Sequence, residues 1–216
     1  MSKVPPEGAT WDLPVRAFHW LLVVLVVFSF VTGKAGGPWL EWHMKSGYAI
    51  LALLAFRIAW GFAGSPPARF SSFLRGPRAA LAYARAVARG QAPHSSSHNP
   101  LGGWMVVAMI AILFFQGVTG LFTNDESAHE GPLAAIVSNR TVDRMGDLHE
   151  RNHWLVLGAV VLHLVAIATY HFVLKRNLTR AMVFGPLRFP LLAMVLLALA
   201  AAGVYGVVVV LPRSAA

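Results

Sequence analysis

Four histidines, His19, His43, His149 and His163, fall in or at the ends of long apolar stretches, where an ionisable side chain is rare and usually functional. Fourteen residues separate His149 from His163. At about 100° per residue, the two lie ~40° apart around one helix and ~21 Å apart along it. They face one way at two depths, as required of a helix that supplies an axial ligand to each of two stacked haems. The sequence has no cysteine. That excludes disulfides, thiolate-held iron–sulfur clusters and covalent haem attachment through Cys-x-x-Cys-His. Any haem here is therefore non-covalent. Bis-histidine ligation leaves its iron six-coordinate, which suits electron transfer over oxygen binding.

The elements that must carry these rings are legible from hydropathy. The chain is 56% hydrophobic and only 12% charged, about half the charge of an ordinary soluble domain. Apolar runs at about 16–33, 43–62, 101–123, 149–174 and 187–212 approach or exceed the ~20 residues that cross a bilayer as a helix. An alternating barrel pattern is missing, so the expected fold class is all-α: a membrane four-helix core plus a fifth, C-terminal helix. The first run is expected to be a retained span and not a cleaved leader, because it carries His19. The net charge of +9 is unevenly spread. Arg69, Arg75, Arg78, Arg85 and Arg89 follow the second span, and Lys175, Arg176, Arg180 and Arg188 follow the fourth, with no acid among them. Asp125, Glu126, Glu130, Asp143, Asp147 and Glu150 crowd the segment before the fourth. The positive-inside rule then puts the N-terminus in the cytoplasm and the C-terminus outside. The basic charge is topology and not a nucleic-acid surface. Between the second and third spans, Pro77 to about Arg89 is expected to form an amphipathic helix on the inner leaflet.

With these directions, depth pairs the ligands. His19 lies near the inner end of the first helix and His163 towards the inner side of the fourth, so they share one haem. His43 opens the second helix at the outer face, level with His149, and these share the other. Arg57, fourteen residues after His43, returns to the same face at the inner level, placed for a haem propionate or for snorkelling to the surface. Gly47 follows His43 by one turn, and Gly117 and Gly120 lie on the third helix. Glycine there either admits a porphyrin or packs helices. His171 is set at the inner end, beside a propionate or at the interface.

One motif competes. His149-Glu150-Arg151-Asn152-His153 is a literal His-Glu-x-x-His, which on a helix presents two zinc ligands and a general base. An intramembrane zinc protease would also need a third ligand, and the other spans offer no acid.

Several fragments together resemble the bacterial cytochrome b561 and Ni,Fe-hydrogenase b-type cytochrome family. They are Pro14-Val-Arg-Ala-Phe-His19-Trp20, His43-x-x-x-Gly47, Phe56-Arg57-Ile-Ala-Trp60-Gly61, Leu148-His149-Glu150, Leu162-His163 and Tyr170-His171-Phe172. The resemblance runs over 11–184, leaving 187–212 as an added helix. It implies a four-helix core, two haems b on His19, His43, His149 and His163, and electron exchange with quinones. It further implies a partner outside the membrane: a periplasmic c-type cytochrome, a hydrogenase or a reductase subunit. An electron-transfer subunit is expected ahead of a stand-alone enzyme. The alternative is a superoxide:quinone oxidoreductase, whose anionic substrate would be steered by Lys34, Lys45, Arg140, Arg144 and Arg151. Self-association into a homo-oligomer is left open.

Overall fold

A computed structural model describes residues 11–91, 99–124 and 129–215. The polar lead with Pro5 and Pro6, the run containing His94 and His98, and Asp125 and Glu126 lie outside the described residues. Among the described residues, five helical segments are long and apolar enough to cross a membrane, so the expected all-helical membrane bundle with a fifth helix holds.

Helix α1, Leu13–Ala35, begins where Asp12 accepts a hydrogen bond from the Val15 amide at 2.9 Å. It ends at Gly36, whose φ of +64° suits glycine and reverses the chain. A single 3₁₀ turn, Gly37–Trp39, leads directly into α2, Leu40–Ala63. His43 therefore sits one turn inside its helix. After α2 come a short α3, Phe70–Phe73, and the expected surface helix α4, Pro77–Ala88, opened by proline at its first position. Ala80 and Tyr83 form its buried face, while Leu81 is exposed. Helix α5, Pro100–Gly120, is capped by Asn99, which accepts from the Gly102 amide at 2.8 Å.

The fourth span differs most from the hydropathy reading. Helix α6 runs Asn139–Ala168 and continues through a π-helical turn, Thr169–Val173. Its first turns are charged, not apolar, and hydropathy cannot register them. Opposite charges one turn apart support that polar stretch, as in the 3.7 Å contact between Arg151 and Asp147. Helix α7, Thr179–Val183, is brief. The last span begins at α8, Leu191–Tyr205, just after Pro190, passes through a π turn at Gly206–Val210 and closes with α9, Leu211–Ala215.

Side-chain bonds fix the up-and-down order. We call the side where α1 begins the near side and the side where it ends the far side. On the near side, Asp12 accepts from Trp60 Nε1 at 3.0 Å and Ser65 Oγ at 2.5 Å, joining the start of α1 to the end of α2. Arg16 and Trp20 of α1 donate to the carbonyls of Val183 and Met182, at 2.8 and 3.1 Å, which holds the connector before α8. Asn99 Nδ2 donates to Tyr170 Oη at 2.8 Å, and Tyr170 Oη lies 2.9 Å from Tyr83 Oη. This joins α4 and the start of α5 to the end of α6.

Helix α2 is the hub, packed against α1, α5 and α8, while α6 rests mainly on α5. Leu54, Phe56 and Trp60 of α2 meet Val15 and Phe18 of α1, Leu113 of α5 and Ala193 of α8 in the core. In lipid, apolar side chains gain little by leaving their surroundings, so close backbone approach matters more. A Cβ added at Gly117 would stand 2.7 Å from Leu51, and this glycine therefore closes α5 onto α2. Helix α8 has the same task from the other side: Ala193 is fully buried in the core around α2.

Candidate functional site

The loop of only a few residues between α1 and α2 brings His43 back against α1. His43 Nδ1 donates to the Ser29 carbonyl at 2.8 Å, with Ser29 Oγ beside it at 3.1 Å. Gly33, one turn beyond Ser29, supplies the space, since a Cβ there would lie 2.8 Å from the His43 ring. The arrangement repeats across the bundle. His149 Nδ1 donates to the Gln116 carbonyl of α5 at 2.9 Å, and a Cβ at Gly120 would lie 2.9 Å from its ring. In each case a helix that supplies no ligand at that level gives a carbonyl from residue i and a bare backbone at i+4. A side chain at i+4 would crowd that carbonyl; glycine leaves it open to a second donor.

These seats decide the tautomer. With Nδ1–H committed to a carbonyl, the lone pair of each imidazole is on Nε2, as a metal ligand requires. The rings of His43 and His149 meet edge to face, with centres 6.0 Å apart and planes at 85°. Metal–nitrogen bonds of about 2 Å would put the centres of two opposed imidazoles about 6 Å apart. The far-side pair therefore fits one iron atom between two neutral histidines.

On the near side, His19 and His163 are within electrostatic reach of each other. Among the described residues, His19 Nδ1 is buried without a hydrogen-bond partner, so His19 lacks the seat that His43 and His149 have. Arg57 is 98% buried, its exposure being 2%. Its guanidinium carbon stands 5.0 Å from the centre of the Phe70 ring, and Nη1 has no partner. A buried cation with an unsatisfied donor calls for an anion, and Arg57 is thus buried, not snorkelled. Haem, with two axial positions and propionate carboxylates, has the chemistry that these residues ask for.

Other expected contacts fare differently. Gly47 has no atom within 4 Å of where a Cβ would stand, so its bare face is open. Gly117 packs helices and Gly120 accommodates a ligand ring; neither exposes backbone to a porphyrin. His171 is exposed in the π turn, edge-on to Phe172 with centres 4.7 Å apart. His153 turns its Nδ1 to the Glu150 carbonyl and its ring to Trp154, 4.6 Å away. Among the described residues, no three metal-ligating side chains gather into one site.

Sequence reasoning missed Ser29, Gly33, Gln116 and Asn152. Asn152 is the one buried residue of α6. Its Nδ2 donates to Gln116 Oε1 at 2.7 Å and to the Ile112 carbonyl at 3.1 Å. Gln116 Nε2 in turn lies 3.2 Å from both ring nitrogens of His149 and 3.1 Å from its carbonyl. One signal could have found two of the seats: Ser29-x-x-x-Gly33 and Gln116-x-x-x-Gly120 place a polar residue and a glycine one turn apart on the helices beside the ligands.

Residues 10–185 match the family described as prokaryotic cytochrome b561. No curated protein and no solved structure matches the chain.

Proposed function

Because the chain belongs to the prokaryotic cytochrome b561 family, whose members are b-type membrane cytochromes of electron transfer, we propose that it holds two haems b and carries electrons between the quinone pool and a periplasmic redox partner. When bound, haem supplies reversible one-electron chemistry at iron. His43 and His149 would hold one group on the far side, and His19 and His163 the other on the near side. The observation that carries this reading is the far-side pair: two neutral imidazoles, 6.0 Å apart between ring centres, each locked through Nδ1 to a carbonyl. Those bonds keep Nε2 basic and the ring orientation fixed, so the ligand set changes little between oxidation states. Arg57 would accept a propionate of the near-side group, and open Gly47 would face the far-side one. The apolar exterior of α1, α6 and α8 faces lipid and keeps bulk water from the ligands.

The arginine-rich connectors support a cytoplasmic near side in a bacterial inner membrane. The periplasmic partner, a c-type cytochrome or a hydrogenase or reductase subunit, would then dock on the far side, near Trp39, Glu41 and Trp42. The superoxide reading loses support there: Lys45 is paired with Glu41 at 2.6 Å and Arg151 with Asp147, which weakens a cationic funnel. Pyridine haemochrome and metal analysis of the purified protein, followed by quinol-driven reduction in vesicles, test the proposal. Two haems per chain and no zinc are expected, with reduction by quinol. One haem, a stoichiometric zinc, or cytochrome inert to quinol would overturn it.

A further inference from the structure

The far-side ligands differ in one respect. Among the described residues, the ring nitrogen of His43 meets Ser29 alone, whereas His149, which has the Thr119 hydroxyl 3.3 Å from Nδ1, is also touched by a side-chain amide that is itself held. An unheld glutamine amide can reverse, since its oxygen and nitrogen ends are nearly isosteric. Here Asn152 removes that freedom. Its Nδ2 donates to Gln116 Oε1 at 2.7 Å, so the NH₂ end of Gln116 must face His149, equidistant at 3.2 Å from Nδ1 and Nε2. Asn152 is 5% exposed, and its second donor contact, to the Ile112 carbonyl, fixes it in turn. A polar residue buried in a membrane helix is expensive unless its donors are met, and Asn152 meets the Gln116 side chain that lies against His149.

We propose that Gln116 and Asn152 are positioning residues for the His149 ligand: Asn152 orients the Gln116 amide, and the amide sets the rotation of the imidazole and the potential of the iron it binds. The inference rests on the ligand role proposed for His149. The sign follows from the amide dipole. Its positive NH₂ end lies against the imidazole and disfavours the more positive ferric state, so it raises the reduction potential. The carbonyl of Gln116 belongs to the backbone and persists in any variant.

Redox titration with low-temperature electron paramagnetic resonance on the haem-loaded protein tests this. Gln116→Met should lower the potential of one haem and shift its low-spin signal, leaving the other haem unchanged. Asn152→Leu should change the same haem in the same direction. In the Gln116→Met background, Asn152→Leu should add nothing, because it acts through the amide; a purely structural role would give additive effects. Should the leucine variant fail to assemble, Asn152→Ala removes the same donors without added bulk and carries the same expectation. An unchanged potential and signal in the asparagine variants, additive effects, or a change in the other haem would overturn the proposal. His149→Ala tested in parallel separates the two readings. If it keeps both native haem signals, the ligand assignment itself falls; if it loses one while the asparagine variants are silent, only the positioning role falls.

Discussion

The rings of His43 and His149 stand almost perpendicular, at 85°, across a 6.0 Å separation. Perpendicular axial imidazoles leave the iron orbitals that point between them nearly degenerate, which spreads the low-spin ferric signal. The far-side haem should therefore give a strongly anisotropic electron paramagnetic resonance signal. Loss of that signal in His43→Ala and in His149→Ala is expected. Its loss in His19→Ala instead would refute the assignment.

The histidines should fail in pairs. His19→Ala and His163→Ala should each weaken or convert to high-spin the near-side haem, and His43→Ala and His149→Ala the far-side one, because loss of one axial ligand leaves iron five-coordinate. His153→Ala should retain both haems, although a zinc site would require it. Redox-titrated spectra of the five variants check this, and a haem disturbed jointly by His19→Ala and His43→Ala would contradict the pairing.

Gly33→Ala and Gly120→Ala should act as ligand mutations without touching a ligand. Each new methyl would stand within 3 Å of an imidazole, so the ring must leave its carbonyl. Overpacking of this kind costs about 1–3 kcal/mol, and the expected readout is partial loss of the far-side haem only. Gly146→Ala, where a Cβ meets nothing within 4 Å, is the matched control and should load fully.

Arg57→Leu should separate chain stability from haem retention. Leucine removes a buried cation whose Nη1 has no partner but also takes that cation from Asp12, and with the two effects opposed the haem-free chain should unfold at about the same denaturant concentration. Haem on the near side should bind about 10–100-fold more weakly, as for other supporting partners of a metal group. Equal haem affinity in the variant would exclude a propionate contact.

Asp12→Ala should loosen the near side broadly. It removes a helix N-cap, worth about 1 kcal/mol, and also frees Trp60 and Ser65. A lower melting temperature with both haem potentials retained is expected. Selective loss of one potential would mean that Asp12 acts on the haem itself.

The spans, and the approach of His43 to His149, were legible because both depend on properties that sequence states directly: runs of apolar residues, and the depths set by a fourteen-residue interval between His149 and His163. The seats were not. Ser29 and Gln116 act through backbone carbonyls, which every residue has, and only the tertiary approach of a ring selects those two. The start of α6 was hidden because its first turns are polar, which a hydropathy reading does not register. Arg57 was ambiguous between burial and snorkelling, since a span-end arginine can do either until the neighbouring Phe70 ring is seen to cover it.

Helix α6 carries His149 and His163 at two levels yet has a single buried residue, Asn152. The consequence falls on biogenesis. A span held mainly by α5 would be tied to α1 and α2 chiefly through the haems proposed between their histidines, so haem would act as the final rivet of assembly. Cells starved of haem should then accumulate chains in which Asn139–Val173 has not docked, open to quality-control proteases. Pulse-labelled protein with the same lifetime in haem-replete and haem-depleted cells would show that α6 docks without that help.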